Sequence, residues 1–267
     1  MQSSNPVLGR AFNNKRGFAS MGSVATETQG SSATLEDLYN APAASSLRTG
    51  RMTMDDVVTR TGILFGVLVI AGAFAWKLNL GLGVMMIAML VAFGLAMALT
   101  FSKKVNPALA IGYAALEGVA VGTLSHYYNV AYPGIVSQAV LATLAAFVGV
   151  LVAYRSGKIR VTPRFTRIAM GAIIGYLVLG VVSMIAAMAH VGNGMGFYGV
   201  HGLGLLLAVG GVGLASVFLI LDFDQIQKGV AAGVPEAESW RAAFGLMVTV
   251  VWLYMEVIRL LSILRNN

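Results

Sequence analysis

The sequence predicts an all-α protein that crosses a membrane seven times. Of its residues, 57% are hydrophobic and only 11% are charged, and the apolar residues gather in seven long segments. A helix needs about 20 such residues to cross the hydrocarbon layer of a bilayer. The segments are too long for barrel strands and lack their alternating pattern, so helices are expected throughout. The predicted spans are residues 58–76, 80–101, 108–127, 135–154, 168–189, 202–221 and 248–264.

The first fifty residues differ in composition from the rest. They are rich in Ser, Asn, Ala, Thr and Gly, and they offer too little apolar surface to offset the entropy of ordering the chain. We therefore expect residues 1–50 to form a disordered cytoplasmic tail and residues 51–267 to form the seven-helix membrane domain.

The basic residues predict the orientation of the spans. They concentrate on one side, in the N-terminal tail and in the segments that hold Lys103, Lys104, residues 155–167, Lys228 and Arg241. The other side has Lys77 between the first two spans and no Lys or Arg between spans three and four or five and six. Since cytoplasmic loops carry the excess of Lys and Arg, the N-terminus is expected in the cytoplasm and the C-terminus outside. The net charge of +7 thus reflects topology, and no nucleic-acid partner is expected.

Motifs of enzymes and of cofactor sites are absent from the sequence. There is no cysteine, so thiolate metal sites and a cysteine nucleophile are excluded. Phosphate-binding loops, His-Glu-x-x-His and Gly-x-Ser-x-Gly do not occur. An intramembrane aspartyl protease would need two facing Asp residues, whereas the last span offers Glu256. The sequence therefore predicts neither an enzyme nor a bound cofactor.

Glu256 is the most informative residue, because it lies inside the last apolar segment. A charge at membrane depth costs roughly 2.5–3.5 kcal/mol on insertion scales and suggests a functional site. Two interpretations remain open. Arg259, three residues later on the same helical face, can form an internal ion pair with it. Alternatively, Glu256 pairs with an acid of the sixth span, and two such carboxylates share a proton or provide oxygen ligands for calcium.

Asp222 and Asp224 are the acids that the sixth span offers. Residues two apart on a helix point about 200° apart, so these two cannot share one face, and the spacing does not choose between them. Glu117 in the third span is either a buried neutral acid or part of an ion path. Arg60 opens the first span, and it either extends to the cytoplasmic surface or pairs with a carboxylate.

Small residues recur on the third and sixth spans. They are Gly112, Ala115, Gly118 and Gly122 on the third, and Gly204, Gly210, Gly211 and Gly213 on the sixth. Close packing of helices is the expected reason, and a hinge is the alternative.

Three stretches together resemble a known family. Residues 113–118 read Tyr-Ala-Ala-Leu-Glu-Gly, residues 222–226 read Asp-Phe-Asp-Gln-Ile, and residues 252–256 read Trp-Leu-Tyr-Met-Glu. Their sequences, order and positions resemble the transmembrane Bax inhibitor motif family, in its bacterial branch, from about Asp56 to Leu264. The resemblance departs in two places: Glu256 stands where the family has Asp, and Asp224 stands where it commonly has Gln.

The resemblance implies a fold and a function. It implies six helices around a central last helix, in a bacterial inner (plasma) membrane. We expect the lipid bilayer as a partner, and other membrane proteins as partners if the protein is a regulator. The resemblance also implies a pH-sensitive calcium leak channel, gated by a carboxylate pair at Asp222 and Glu256, which are then candidate calcium ligands; Asp224, Glu117, Arg60 and Arg259 are secondary candidates. A proton-coupled secondary transporter and a non-transporting regulator that binds membrane proteins are the alternatives.

Overall fold

Seven long helices form the membrane domain of the computed structural model, which confirms the predicted all-α fold. The structure describes residues 50–102, 104–157, 159–194, 196–200 and 202–266, so the tail predicted at residues 1–50 lies outside them except for Gly50. All seven helices are long and apolar enough to cross a bilayer. They are α1 Met54–Leu78, α2 Leu82–Phe101, α3 Pro107–Ala131, α4 Ile135–Arg155, α5 Pro163–Met188, α6 Leu203–Ala231 and α7 Glu238–Asn266. Two short 3-10 turns, Val191–Gly194 and Gly196–Gly199, connect α5 to α6.

Local signals in the sequence fix where several helices begin and end. Thr53 caps α1 in a capping box with Asp56, in which each side chain accepts from the other's backbone N–H. Pro107 and Pro163 occupy the first positions of α3 and α5, where a missing N–H costs nothing. Asn79 ends α1 in the left-handed conformation, at φ 48°, which allows the tight turn into α2.

Helices α6 and α7 extend beyond the apolar spans predicted for them. The apolar segment ends at Leu221, but α6 continues to Ala231 and α7 already begins at Glu238. Hydropathy stops at the polar residues after Leu221, whereas the helix continues through them and is supported by the ion pair of Asp224 with Lys228 one turn later. Asp222 consequently lies inside α6 and not at its end.

The last helix is the centre of the bundle. In the most apolar window of α7, 56% of the residues are buried, against 11–39% for the other six helices. It packs against α1, α3, α4 and α6. This position shields the polar residues of α7 from lipid, as the central last helix of the predicted fold requires.

Glycines bring α1 and α3 into direct backbone contact. A Cβ atom at Gly118 would overlap the carbonyl group of Leu68, and one at Gly122 would overlap the backbone of Gly72. Larger residues there would separate the helices. The small residues of α3 therefore serve close packing, the expected reason for their recurrence.

Hydrogen bonds define the two ends of the bundle. At what we call the tail end, the Gly50 carbonyl accepts from Glu236 N at 2.9 Å and Met52 N donates to Val234 O at 2.8 Å. At what we call the C-terminal end, Arg265 donates to Pro133 O at 3.0 Å, in the turn between α3 and α4. The segment that precedes α1 and the last residues of α7 thus lie at opposite ends.

Candidate functional site

Glu256 is buried in the centre of the bundle and is paired with a cation of its own helix. Its side chain is 3% exposed. Arg259 Nη1 donates to both carboxylate oxygens at 3.0 Å, and Trp252 Nε1 donates to Oε1 at 3.1 Å. The spacings of three and four residues place all three side chains on one face of α7. Of the two interpretations drawn from the sequence, the ion pair with Arg259 is the arrangement that the structure contains.

Aromatic side chains from α5 and the following turn enclose this ion pair. The Arg259 guanidinium lies over the ring of Tyr198, 4.4 Å from its centre, at a distance suited to a cation–π interaction. The hydroxyls of Tyr198 and Tyr176 form a hydrogen bond of 2.8 Å, and Tyr176 also lies beside Glu256. We call Tyr176, Tyr198, Trp252, Glu256 and Arg259 the Glu256 cluster.

Asp222 has a different environment, near the tail end of the bundle. Its Oδ2 atom is buried and has no hydrogen-bond partner in the part of the chain that the structure describes. The neighbouring polar side chain is Thr249 of α7, whose hydroxyl donates to Gly245 O at 3.2 Å. Asp222 lines a cavity of about 350 Å³, which we call the tail-end cavity; Met52, Gln225, Glu238 and Arg241 are among its other lining residues.

The structure does not bring Asp222 and Glu256 together. The residue of α6 next to the Glu256 carboxylate is Gly211, eleven positions before Asp222, which is roughly 16 Å along the helix at 1.5 Å per residue. On α7, Asp222 instead faces Thr249, seven residues before Glu256. Because α6 and α7 run antiparallel in this register, the two carboxylates lie at different depths, and a shared proton is absent from this structure.

Comparison with known proteins identifies the family. A model of the Bax inhibitor 1 like family matches residues 5–266 of the chain. The chain belongs to this family. The match covers nearly the whole sequence, and it agrees with the resemblance carried by the three short stretches. Among curated proteins, no match was found.

Asp224 occupies the other face of α6 in this Bax inhibitor 1 like protein. It forms an ion pair with Lys228 of the next turn and lies near Tyr154 of α4. The different surroundings of Asp222 and Asp224 follow from their angular separation on the helix. Asp222 is therefore the acid that faces α7.

Glu117 and Arg60 also lie apart from the Glu256 cluster. Glu117 is beside the hydroxyl of Tyr113, one turn earlier on α3. Arg60 is bonded to the Glu236 carboxylate and to the Ser239 hydroxyl, and its guanidinium lies 5.3 Å from the ring centre of Trp240. Arg60 thus ties α1 to the start of α7, and its acid partner is Glu236, which the sequence did not single out.

Several contacts of the family member could not be found from sequence patterns. Tyr176 and Tyr198 carry no charge and lie outside the stretches that resemble the family, although both belong to the Glu256 cluster. Gly211 was noted only as one of several small residues, and its contact with Glu256 depends on the register of α6 against α7. No group of three or more His, Cys, Asp or Glu side chains that could hold a metal ion occurs among the described residues.

Proposed function

We propose that this Bax inhibitor 1 like protein is a pH-sensitive leak pathway for cations, calcium foremost, in a bacterial inner membrane. One observation carries the proposal: Asp222 lines the tail-end cavity, and one of its carboxylate oxygens is buried without a hydrogen-bond partner among the described residues. An unpaired buried charge is expensive. Such a carboxylate is stabilised by a proton or by a cation, and competition between the two makes the site sensitive to pH.

The chemistry of the cavity suits a hard cation. Asp222 and Gln225 line it and would provide the oxygen ligands that calcium takes. Arg241 also lines the cavity, but its charge is balanced by Glu238 at 2.7 Å. Water would supply the remaining ligands of a weakly held ion.

The Glu256 cluster is the proposed barrier of the pathway. Arg259 lies between the tail-end cavity and the C-terminal end, held by Glu256 at 3.0 Å and by the ring of Tyr198 at 4.4 Å. Glu256 balances its charge, so the packed side chains of the cluster, rather than a net charge, block a permeating cation. Opening would then require Arg259 to leave this position, through movement of α7 or of the turn that holds Tyr198.

In this proposal, the two acids act at separate depths. Asp222 responds to pH at the tail end, which the basic residues assign to the cytoplasm, and Glu256 holds the barrier. The carboxylate pair expected from the family resemblance is thereby replaced by two sites that communicate through α7.

Calcium flux into proteoliposomes tests the proposal. Passive flux that changes with pH and needs no counter-ion supports a leak pathway. Flux that depends strictly on a proton gradient identifies a secondary transporter, and absence of flux at every pH identifies a non-transporting regulator. The variant to compare is Asp222→Asn, with Asp224→Asn, on the other face of α6, as its matched control.

A further inference from the structure

A large apolar groove opens between α1 and α4, away from both acid sites. Its volume is about 750 Å³, within the range of about 300–1,000 Å³ typical of ligand sites. Helices α1 and α4 line its sides, and α3 and α7 also contribute to its lining. Val69 and Val140, from the two sides, are 62% and 42% exposed, so the groove is open toward the surrounding lipid.

The depth of the groove matches one leaflet of a bilayer. Along α1 its lining runs from Phe65 to Lys77; these residues are twelve positions apart and thus about 18 Å along the helix. The hydrocarbon layer is about 30 Å thick, so one leaflet accounts for about 15 Å. On α4 the lining runs from Val136 to Leu144, which is the half nearer the C-terminal end. The groove therefore extends from the C-terminal end to the middle of the membrane.

The lining places a single positive charge at the membrane surface and apolar surface below it. Lys77 and Trp76 lie at the outer end of the groove, and no ion pair involves Lys77 within the described ranges. Deeper in the groove, the hydroxyls of Ser125 and Tyr254 satisfy each other at 2.7 Å. A ligand that complements this surface has a negative head and a long apolar chain.

We propose that the groove binds one acyl chain of an anionic glycerophospholipid from the leaflet at the C-terminal end, with the lipid phosphate on Lys77. The position of Trp76 beside Lys77 agrees with the interfacial preference of tryptophan. The lateral opening lets the chain enter from the bilayer without crossing water. This site is separate from the proposed leak pathway and does not depend on it.

Thr143 provides a way to distinguish a lipid chain from a polar ligand. The residue lines the groove and is 4% exposed, and its hydroxyl is buried without a partner in the described part of the chain. It lies eight residues into α4, about 12 Å below the start of the helix. That is too deep for a phosphate held at the membrane surface. Recognition of an acyl chain therefore makes no use of this hydroxyl.

Retention of phosphatidylglycerol by the purified protein, measured by native mass spectrometry, tests the site. Ala73→Phe and Val140→Phe place a ring in the groove from opposite sides, and each should lower retention about tenfold by displacing methylene groups of the chain. Ala142→Phe is the matched control, because this alanine of α4 is exposed but does not line the groove. Unchanged retention in both groove variants would overturn the proposal. Two positions on opposite sides are tested so that the result still stands if one variant fails to fold.

Lys77→Gln tests the charged head. The preference for phosphatidylglycerol over phosphatidylcholine should fall about fivefold, the effect of the roughly 1 kcal/mol that one Lys contributes near an anionic surface. Lys104→Gln, at the tail end, should leave the preference unchanged. Thr143→Val should retain the lipid as well as the original protein does. Loss of binding in Thr143→Val would indicate a polar ligand held by this hydroxyl and contradict an acyl chain. An undiminished preference in Lys77→Gln would contradict the proposed contact between the lipid phosphate and Lys77.

Discussion

Gly211 of α6 lies directly against the carboxylate of Glu256 of α7. A Cβ atom at Gly211 would be 2.6 Å from Glu256 Oε2 and 2.5 Å from the Tyr176 hydroxyl, both far inside contact distance. The missing side chain is thus what allows α5, α6 and α7 to meet at the buried ion pair. This contact also sets the register that keeps Asp222 at a different depth.

Gly211→Ala should destabilise the protein, although alanine ordinarily favours a helix by roughly 0.5–1 kcal/mol over glycine. The added methyl group must displace Glu256 or Tyr176, at a cost of about 1–3 kcal/mol for overpacking. Thermal unfolding in detergent measures the change. Gly210→Ala is the control, because nothing lies within 4 Å of a Cβ atom there; equal unfolding temperatures for the two variants would show that Gly211 has no special role.

Arg259→Gln should be strongly destabilising, because it leaves the Glu256 carboxylate buried without its cation. Breaking a buried ion pair from one side costs about 3–5 kcal/mol. Adding Glu256→Gln should recover part of this loss, since the double variant contains no unpaired charge, and the two changes should be coupled by about 0.5–3 kcal/mol. The measurement is the free energy of unfolding of both single variants and of the double variant. Strict additivity would mean that the two side chains do not interact.

Asp222→Asn should flatten the pH dependence of calcium leak, because the variant removes the acid of α6 that lines the tail-end cavity. Asp224→Asn, its matched control on the other face of α6, should change the pH profile little. Flux assays on proteoliposomes measure the pH profile of leak.

Since Asp222 and Glu256 lie at different depths, the effects of Asp222→Asn and Glu256→Gln on the free energy of unfolding should add. The free energies of unfolding of Asp222→Asn, Glu256→Gln and the double variant that combines them measure additivity. A double variant whose effect equals that of either single change would support the shared proton expected from the family resemblance.

The sequence predicted the fold more completely than the site. Seven apolar segments and small residues on α3 were sufficient for the helices and their close packing, because both depend on local composition. The ion pair of Glu256 with Arg259 was also accessible, since a spacing of three residues on a helix is a local property. The separation of Asp222 from Glu256 could not be predicted from the sequence, because it depends on the register of α6 against α7. The contacts of Tyr176 and Tyr198 likewise arise only when distant segments pack.

The C-terminus should lie outside the cell and the loop of residues 155–167 inside. Seven spans put the chain ends on opposite sides, and the loops richer in Lys and Arg define the cytoplasmic side. Reporter fusions at Asn267 and in this loop, using an enzyme that is active on only one side of the membrane, measure the orientation. A cytoplasmic signal from both fusions would contradict seven complete spans. It would mean that α7 is re-entrant and that the C-terminus lies on the cytoplasmic side.

Gly122→Ala should separate α1 from α3 and lower stability by about 1–3 kcal/mol, because its new methyl group would overlap the backbone of Gly72. A backbone cannot rotate away as a side chain can, so the whole of α1 must move. Gly112→Ala is the control on the same helix, where the nearest atom, Leu95 Cδ1, lies 3.4 Å from the Cβ position and can yield. Thermal unfolding in detergent compares the two. If Gly122→Ala is as stable as Gly112→Ala, the direct backbone contact between α1 and α3 does not stabilise this fold. Because Gly72 and Gly122 also line the apolar groove, the same variant should alter lipid retention, whereas Gly112→Ala should not.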